Sequence, residues 1–177
     1  MKTSEKNALL SLRIVAIFLV VGGVAGVIVG LMTESAVISQ GLAGRTGSAA
    51  FLGAATCLFG FTAWTGVELW RRNPQSLIWA QIILIAQIPY IGFPGFAYQF
   101  YAALVAGIGV SSQANALINF GLQMGSSLTF RISSDIEGFF FGINLSAVVA
   151  LYLLGKAQAA MPKQNVEQLS ASAQSGI

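Results

Sequence analysis

The most regular stretch of this sequence is residues 117–133, LINFGLQMGSSLTFRIS. Apolar and polar residues alternate through it, and an alternation of period two is typical of half-buried β-strands. A three-residue turn at residues 125–127 would bring the apolar faces of two strands together, whereas a two-residue turn would oppose an apolar and a polar face. The pattern therefore predicts a β-hairpin, with Met124 paired with Leu128, Leu122 with Phe130 and Phe120 with Ile132.

The chain before this hairpin is uncharged, since no Asp, Glu, Lys or Arg occurs from Asn73 to Phe130. Prolines and glycines interrupt the apolar run near residue 94, and residues 97–110 then fit a strand or a helix. A two-stranded hairpin is only marginally stable in water, so it needs a third strand, the membrane surface or a partner. We predict that residues 95–137 form an extracytoplasmic β-hairpin or meander.

The composition places the chain in a membrane. Of its 177 residues, 55% are hydrophobic and 8% are charged, and the mean hydropathy is +0.75, whereas soluble domains are about one quarter charged. Such a chain cannot cover a water-facing surface, which excludes an ordinary globular enzyme. The absence of histidine and the single cysteine, Cys57, exclude imidazole metal sites and internal disulfides. We expect no metal and no cofactor.

Four apolar runs are long enough to cross a hydrocarbon core about 30 Å thick. They predict an all-α membrane protein, a four-transmembrane-helix bundle with the β module between its third and fourth helices. The predicted helices are 14–32, 49–70, 77–94 and 138–155. The other predicted segments are a cytoplasmic N-terminus (1–13), an outer loop (33–48), a cytoplasmic turn (71–76) and a mobile cytoplasmic tail (156–177).

The basic residues predict the orientation of these helices. Under the four-helix model seven of the nine lie on one side of the membrane, and only Arg45 and Arg131 lie on the other. Basic residues in short flanks favour the cytoplasm, so both termini are predicted to be cytoplasmic. A fifth helix near residues 98–110 would destroy this asymmetry. The seven residues on the cytoplasmic side are Lys2, Lys6, Arg13, Arg71, Arg72, Lys156 and Lys163.

Small residues recur every four positions in the predicted helices. Helices in lipid associate through close backbone approach at such residues, so the main interpretation is packing within the bundle, with homo-oligomerisation or docking to a larger complex as alternatives. A glycine-lined pore is a further alternative. The predicted packing residues are Gly22, Gly26 and Gly30 in the first helix, Gly53 in the second, and Gly138, Gly142 and Ser146 in the fourth.

Five polar residues in or beside the predicted helices are candidate functional residues, because ionisable groups at membrane depth often have a function. Glu34 could carry a proton or a cation, or be a hydrated residue after a helix end. Glu68 has the spacing to pair with Arg71 and Arg72. Gln81, Gln87 and Asn144 could contact a substrate, but bonds between helices or to backbone freed by Pro89 are the alternative.

Three stretches carry a resemblance: residues 12–16 (LRIVA), residues 87–98 around QIPYI and Phe93-Pro94, and residues 141–145 (FGINL). Together they resemble small uncharacterised four-helix membrane proteins of bacteria. The resemblance implies a bacterial inner-membrane location and four helices. It implies no activity, substrate or site residue.

The residues favour a non-enzymatic function. No phosphate-binding loop, dinucleotide fingerprint, serine-nucleophile elbow or zinc spacing occurs in the sequence. We expect an accessory or partner-binding membrane protein, either a homo-oligomer or part of a larger membrane complex, with the lipid bilayer as its surroundings. A small transporter or channel is the alternative, followed by a lipid- or quinone-handling enzyme. The basic residues are too dispersed for a nucleic-acid surface.

Overall fold

The computed structural model describes residues 3–39, 46–112, 118–133 and 138–160, and these form four helices and six strands. The predicted tail from 161 onward and residues 40–45 of the predicted outer loop lie outside the described residues. In chain order the elements are α1 (Thr3–Ser39), α2 (Thr46–Trp70), α3 (Pro74–Ala86), β1 (Pro89–Phe93), β2 (Gly95–Tyr101), β3 (Leu104–Ser111), β4 (Ile118–Met124), β5 (Ser127–Ser133), β6 (Phe140–Asn144) and α4 (Leu145–Ala160).

The two long helices, α1 and α2, pack against each other in opposite directions. A Cβ atom at Gly26 would lie 2.2 Å from the ring of Phe59, and one at Gly30 would lie 2.2 Å from Thr56 Oγ1, so both glycines allow the close approach. Their apolar segments, Lys6–Ala36 and Ala49–Trp70, are long and apolar enough to cross a membrane; they are the two such helices among the described residues. This supports a membrane protein.

The predicted all-α four-helix bundle is wrong. Helix α3 has only 13 residues and α4 has 16, and the apolar runs that were expected to be the third and fourth helices, 77–94 and 138–155, are each part helix and part strand. The first run changes from α3 to β1 at Pro89, and the second changes from β6 to α4 after Asn144. The cause of the error is that apolar length does not distinguish a buried helix from a buried strand.

The six strands form one antiparallel sheet in the order β4-β3-β6-β1-β2-β5. Strands β4 and β5 are therefore the two opposite edges, and the hairpin predicted between them does not exist: Leu122 pairs with Ala106 of β3, and Phe130 pairs with Tyr98 of β2. Only Gly125 and Ser126 connect these edges, so the sheet must curl until its edges meet at that end. The result is a half-barrel. Gly125 has a φ of 136°, which glycine adopts most readily.

The closed end of the half-barrel rests on the middle of α1. Ser126 Oγ donates a hydrogen bond of 2.6 Å to the carbonyl of Gly22 and accepts one of 3.4 Å from the backbone N–H of Ala103. A Cβ atom at Gly22 would lie 2.5 Å from that same nitrogen. Gly22 therefore contacts the link between β2 and β3, not another helix as its position in the glycine stripe suggested.

The two faces of the sheet differ in chemistry, because residues opposite each other in an antiparallel pair share a face. The outer face is apolar throughout the described side chains. Helices cover this face at β2. The ring of Phe100 lies 5.7 Å from that of Phe59 in α2, and the Tyr98 hydroxyl donates to the carbonyl of Ala86 in α3 over 2.8 Å. The β4 side of this face is exposed, with Phe120 78%, Leu122 75% and Met124 83% exposed.

Candidate functional site

The inner, concave face of the half-barrel carries mostly small and polar residues, together with the apolar side chains of Val105 and Phe140. They occupy alternate positions of the strands, and the residues between them point outward. The inward positions include Tyr90 and Gly92 of β1, Gln99 and Tyr101 of β2, Gly107, Gly109 and Ser111 of β3, Gly121 and Gln123 of β4, and Gly142 of β6.

Glycines on this face make room for two aromatic side chains, Phe140 at Gly92 and Tyr90 at Gly107 and Gly142. The Tyr90 ring lies across β6 and β3: a Cβ at Gly142 would be 2.5 Å from Tyr90 Cδ2, and a Cβ at Gly107 would be 2.7 Å from the Tyr90 hydroxyl. A Cβ at Gly121, by contrast, would meet nothing within 4 Å. The inner face is therefore filled beside β1 and open beside β4.

The open part of the inner face is a cleft of about 410 Å³. This volume is within the range of small-molecule binding sites. The cleft is bounded by β1, β3, β4 and β6 and by Gln99 of β2. It therefore lies inside a sheet whose other face is apolar.

Three buried polar atoms in or beside the sheet have no hydrogen-bond partner among the described residues: Tyr90 Oη, which lines the cleft, Gln87 Nε2 and Asn144 Nδ2. Asn144 is paired with Gly107 and lies on the same face of the sheet. The Tyr90 hydroxyl also lies beside Gly107. The oxygens of the two amides are occupied, since Gln87 Oε1 accepts from the N–H of Ala102 and Asn144 Oδ1 accepts from the first turn of α4. The unused atoms are thus all able to donate.

One positive charge lies on the inner face. Arg131 is paired with Ala97 across β5 and β2, in the set of residues that points inward, and its side chain is exposed. It is the one charged side chain of the described sheet residues. The nearest acidic residues along the chain, Asp135 and Glu137, lie outside the described residues. The described inner face therefore combines donors and a cation.

Tyr101 is already held by its neighbours. Its hydroxyl lies within hydrogen-bonding reach of the side chains of Ser127 and Gln123, which lie on β5 and β4 at the two edges of the sheet. Tyr101 therefore lies near both edges at the closed end of the half-barrel, whereas Tyr90 lines the cleft.

The predicted packing residues have several different neighbours. A Cβ at Gly53 would approach only Glu34, at 3.9 Å. Gly138 and Gly142 are not in a helix, since Gly138 precedes β6 with a φ of 80° and Gly142 lies within it. Ser146 lies in the first turn of α4, where its hydroxyl accepts a 3.1 Å hydrogen bond from the N–H of Ala106.

The predicted polar candidates are not gathered into one site. Glu34 accepts a 3.0 Å hydrogen bond from Thr56, and Glu68 pairs with Arg71 at 3.1 Å. Gln81 donates to Gln158 over 2.8 Å, which joins α3 to α4. Of the five, only Gln87 and Asn144 lie at the sheet: Gln87 shortly before β1 and Asn144 at the end of β6.

The sequence patterns predict few of the residues that form the cleft. The alternation of residues 117–133 indicates the polar side of β4, but Tyr90 lies in the run 77–94 that predicts a helix, and Gln99 lies in residues 97–110, which fit a strand or a helix. The period-two pattern of β2, in which Phe96, Tyr98 and Phe100 alternate with inward residues, was the signal that could have extended the sheet.

Comparison with known proteins gives no relative from which a role could be transferred: the chain matches no protein family model, no curated protein and no solved structure.

Proposed function

We propose that this protein is an integral protein of the bacterial inner membrane, with both termini in the cytoplasm, that binds a membrane amphiphile inside its half-barrel. The observation that carries the proposal is a cleft of about 410 Å³ within a sheet whose outer face is apolar; Tyr90, Gln99 and Gln123 line it among small and apolar residues. Membrane β-barrels have the same arrangement of apolar outer and polar inner residues.

Element lengths support a crossing by four segments. The 13 residues of α3 rise about 20 Å at about 1.5 Å each, and the five of β1 add about 16 Å at about 3.3 Å each. Their combined length of about 36 Å exceeds the hydrocarbon core of about 30 Å. Strand β6 with α4 is longer still. Each pair of helix and strand therefore acts as one crossing segment, and the half-barrel lies in the outer leaflet.

One interface is marked by cationic and aromatic side chains. The Arg13 guanidinium lies 5.2 Å from the centre of the Trp70 ring, and Arg71 and Arg72 follow directly. Trp and basic residues favour the membrane boundary, and basic residues favour its cytoplasmic side. The ends of α1 and α2 that carry these residues are therefore the cytoplasmic ends.

This orientation predicts the accessibility of introduced thiols. In a background with Cys57→Ala, a Ser39→Cys variant should react with a membrane-impermeant maleimide added to intact cells, because Ser39 ends α1 far from Arg13. A Ser175→Cys variant should react only after the cells are opened. Labelling of position 175 from outside would place the C-terminus on the wrong side and overturn the orientation.

Binding in the cleft predicts a large effect of filling it. Gly121 lines the cleft and has free space around its Cβ position, so Gly121→Leu should occupy the cleft without a backbone clash. We expect the fraction of protein that retains one lipid, measured by native mass spectrometry in mild detergent, to fall about tenfold, equivalent to ~1.4 kcal/mol.

Gly155→Leu is the matched control, because Gly155 lies in α4 away from the cleft and also has nothing within 4 Å of its Cβ position. It should retain lipid as the wild type does. If the wild type and both variants retained lipid equally, the lipid would bind elsewhere. This result would contradict the proposed function.

A second candidate function, binding of a protein partner, is favoured by the edges of the sheet. Within the described chain, β4 and β5 each have a neighbouring strand on one side only, and unpaired strand edges are sites where a strand of another chain can add. Backbone groups at membrane depth require partners, so this candidate predicts a dimer or a co-purifying protein in native mass spectra.

A further inference from the structure

The chemistry of the inner face points to the charge of the ligand. Two of its buried donors have no partner among the described residues, the Tyr90 O–H and the Asn144 N–H₂. The Asn144 oxygen already accepts hydrogen bonds from two backbone N–H groups, so this amide can only donate further. Leaving buried donors unpaired costs about 1–3 kcal/mol each. A ligand that satisfies them must therefore offer acceptor oxygens.

The electrostatics of the sheet point in the same direction. Arg131 gives the inner face a positive charge, and the described residues of β1 to β6 include no Asp or Glu. In the low dielectric of a membrane such a charge attracts anions more strongly than it would in water. An arginine also pairs with phosphate or carboxylate through two parallel hydrogen bonds.

We propose that the half-barrel binds the oxyanion headgroup, a phosphate or a carboxylate, of an anionic membrane amphiphile. This inference rests on the proposed function and specifies its ligand. The headgroup accepts hydrogen bonds from Tyr90 and Asn144, and Arg131 on the same face of the sheet attracts its charge. The apolar part leaves between the unpaired edges of β4 and β5, beside the exposed side chains of Phe120 and Leu122.

The test compares headgroups on identical chains. The full-length protein in an uncharged detergent is titrated with dihexanoyl phosphatidylglycerol, with dihexanoyl phosphatidylcholine and with inorganic phosphate, and bound ligand is counted by native mass spectrometry. We expect the anionic lipid to bind about tenfold more tightly than the zwitterionic one. One or two charge-assisted hydrogen bonds provide a difference in affinity of this size. Equal affinity for the two lipids would overturn the inference.

Arg131→Gln is the decisive variant, because it removes the charge and keeps a polar side chain. Its affinity for phosphatidylglycerol should fall about fivefold, the effect expected for a partly exposed ion pair, while its affinity for phosphatidylcholine stays unchanged. Arg131→Lys should restore part of the lost affinity, since it restores the charge but not the two parallel hydrogen bonds. Equal losses for both lipids would contradict a headgroup contact. The melting temperature without ligand establishes that each variant is folded.

The outcomes separate this inference from the proposed function. If Gly121→Leu abolishes binding but the two lipids bind equally, the cleft binds amphiphiles and the oxyanion assignment fails alone. If inorganic phosphate binds as tightly as phosphatidylglycerol, the oxyanion chemistry stands and the membrane amphiphile is overturned. If neither Gly121→Leu nor Arg131→Gln changes any affinity, both proposals fail.

Discussion

Replacing Gly22 with alanine should lower the melting temperature of the protein in detergent by about 10 °C, equivalent to about 3 kcal/mol for a chain of this size. The reason is steric: an added Cβ would lie 2.5 Å from the nitrogen of Ala103 and 2.6 Å from the carbonyl carbon of Ala102, both backbone atoms that cannot rotate away. The helix and the closed end of the half-barrel would have to separate, which also strains the Ser126 hydrogen bond to the Gly22 carbonyl. Overpacking of this kind destabilises by about 1–3 kcal/mol or more.

Gly60→Ala is the matched control for this prediction. Gly60 lies in α2 among apolar residues, but the only neighbour within 4 Å of its Cβ position is the end of the Val27 side chain, at 3.9 Å. Alanine is also the better helix former by about 1 kcal/mol, so this variant should melt at the wild-type temperature or slightly above it. If Gly22→Ala melted within about 2 °C of the wild type, the contact between α1 and the sheet would be contradicted.

The sequence reveals close approach at Gly22 but not the partner. Small residues at intervals of four predict that something packs tightly against α1, and this holds at Gly26 and Gly30, which contact Phe59 and Thr56 of α2. Gly22 lies one turn earlier on the same stripe, yet its neighbour is the link between two strands some 80 positions away. Such a contact depends on the sheet topology, which no local pattern encodes.

The same limit explains the hairpin. In residues 117–133 the alternation identifies which side chains share a face, because that depends only on the period of two. It cannot identify the partner strand: Leu122 beside Phe130 and Leu122 beside Ala106 both keep apolar side chains on one face. The true pairing joins Gly121 with Gly107, which creates the space of the cleft. The predicted hairpin lacks this pairing, so it does not predict the cleft.

The change from strand to helix in the fourth apolar run has a local signal in Asn144. A polar residue within an apolar run predicts a hydrogen bond between helices, but asparagine directly before a helical pattern is also a common N-cap. Strand β6 ends at Asn144 and α4 begins at Leu145. Only the pairing of β6 with β1 and β3 reveals that the residues before it are extended.

Asn144→Leu is expected to produce the second large loss of stability. The Asn144 side chain is fully buried, and its Oδ1 accepts hydrogen bonds of 3.1 Å from the N–H of Ser146 and 3.4 Å from that of Ala147. Leucine has nearly the same size but no acceptor, so two N–H groups at the start of α4 would lose their partner. Loss of an N-cap costs about 1–2 kcal/mol, and lipid offers no water in compensation. We expect a fall of about 2–8 °C in the detergent melting temperature, at about 2–4 °C per kcal/mol.

Asn144→Asp separates the capping oxygen from the amide donor. Aspartate retains the acceptor, and its charge is favoured at the positive end of α4, so this variant should melt closer to the wild type than Asn144→Leu does. It also replaces the unpartnered Nδ2 donor with an acceptor, which would repel an oxyanion. The aspartate variant should thus be folded and bind phosphatidylglycerol weakly, with phosphatidylcholine affected less. An aspartate variant as unstable as the leucine variant would contradict the capping role, because the two differ chiefly in the oxygen that accepts from Ser146 and Ala147.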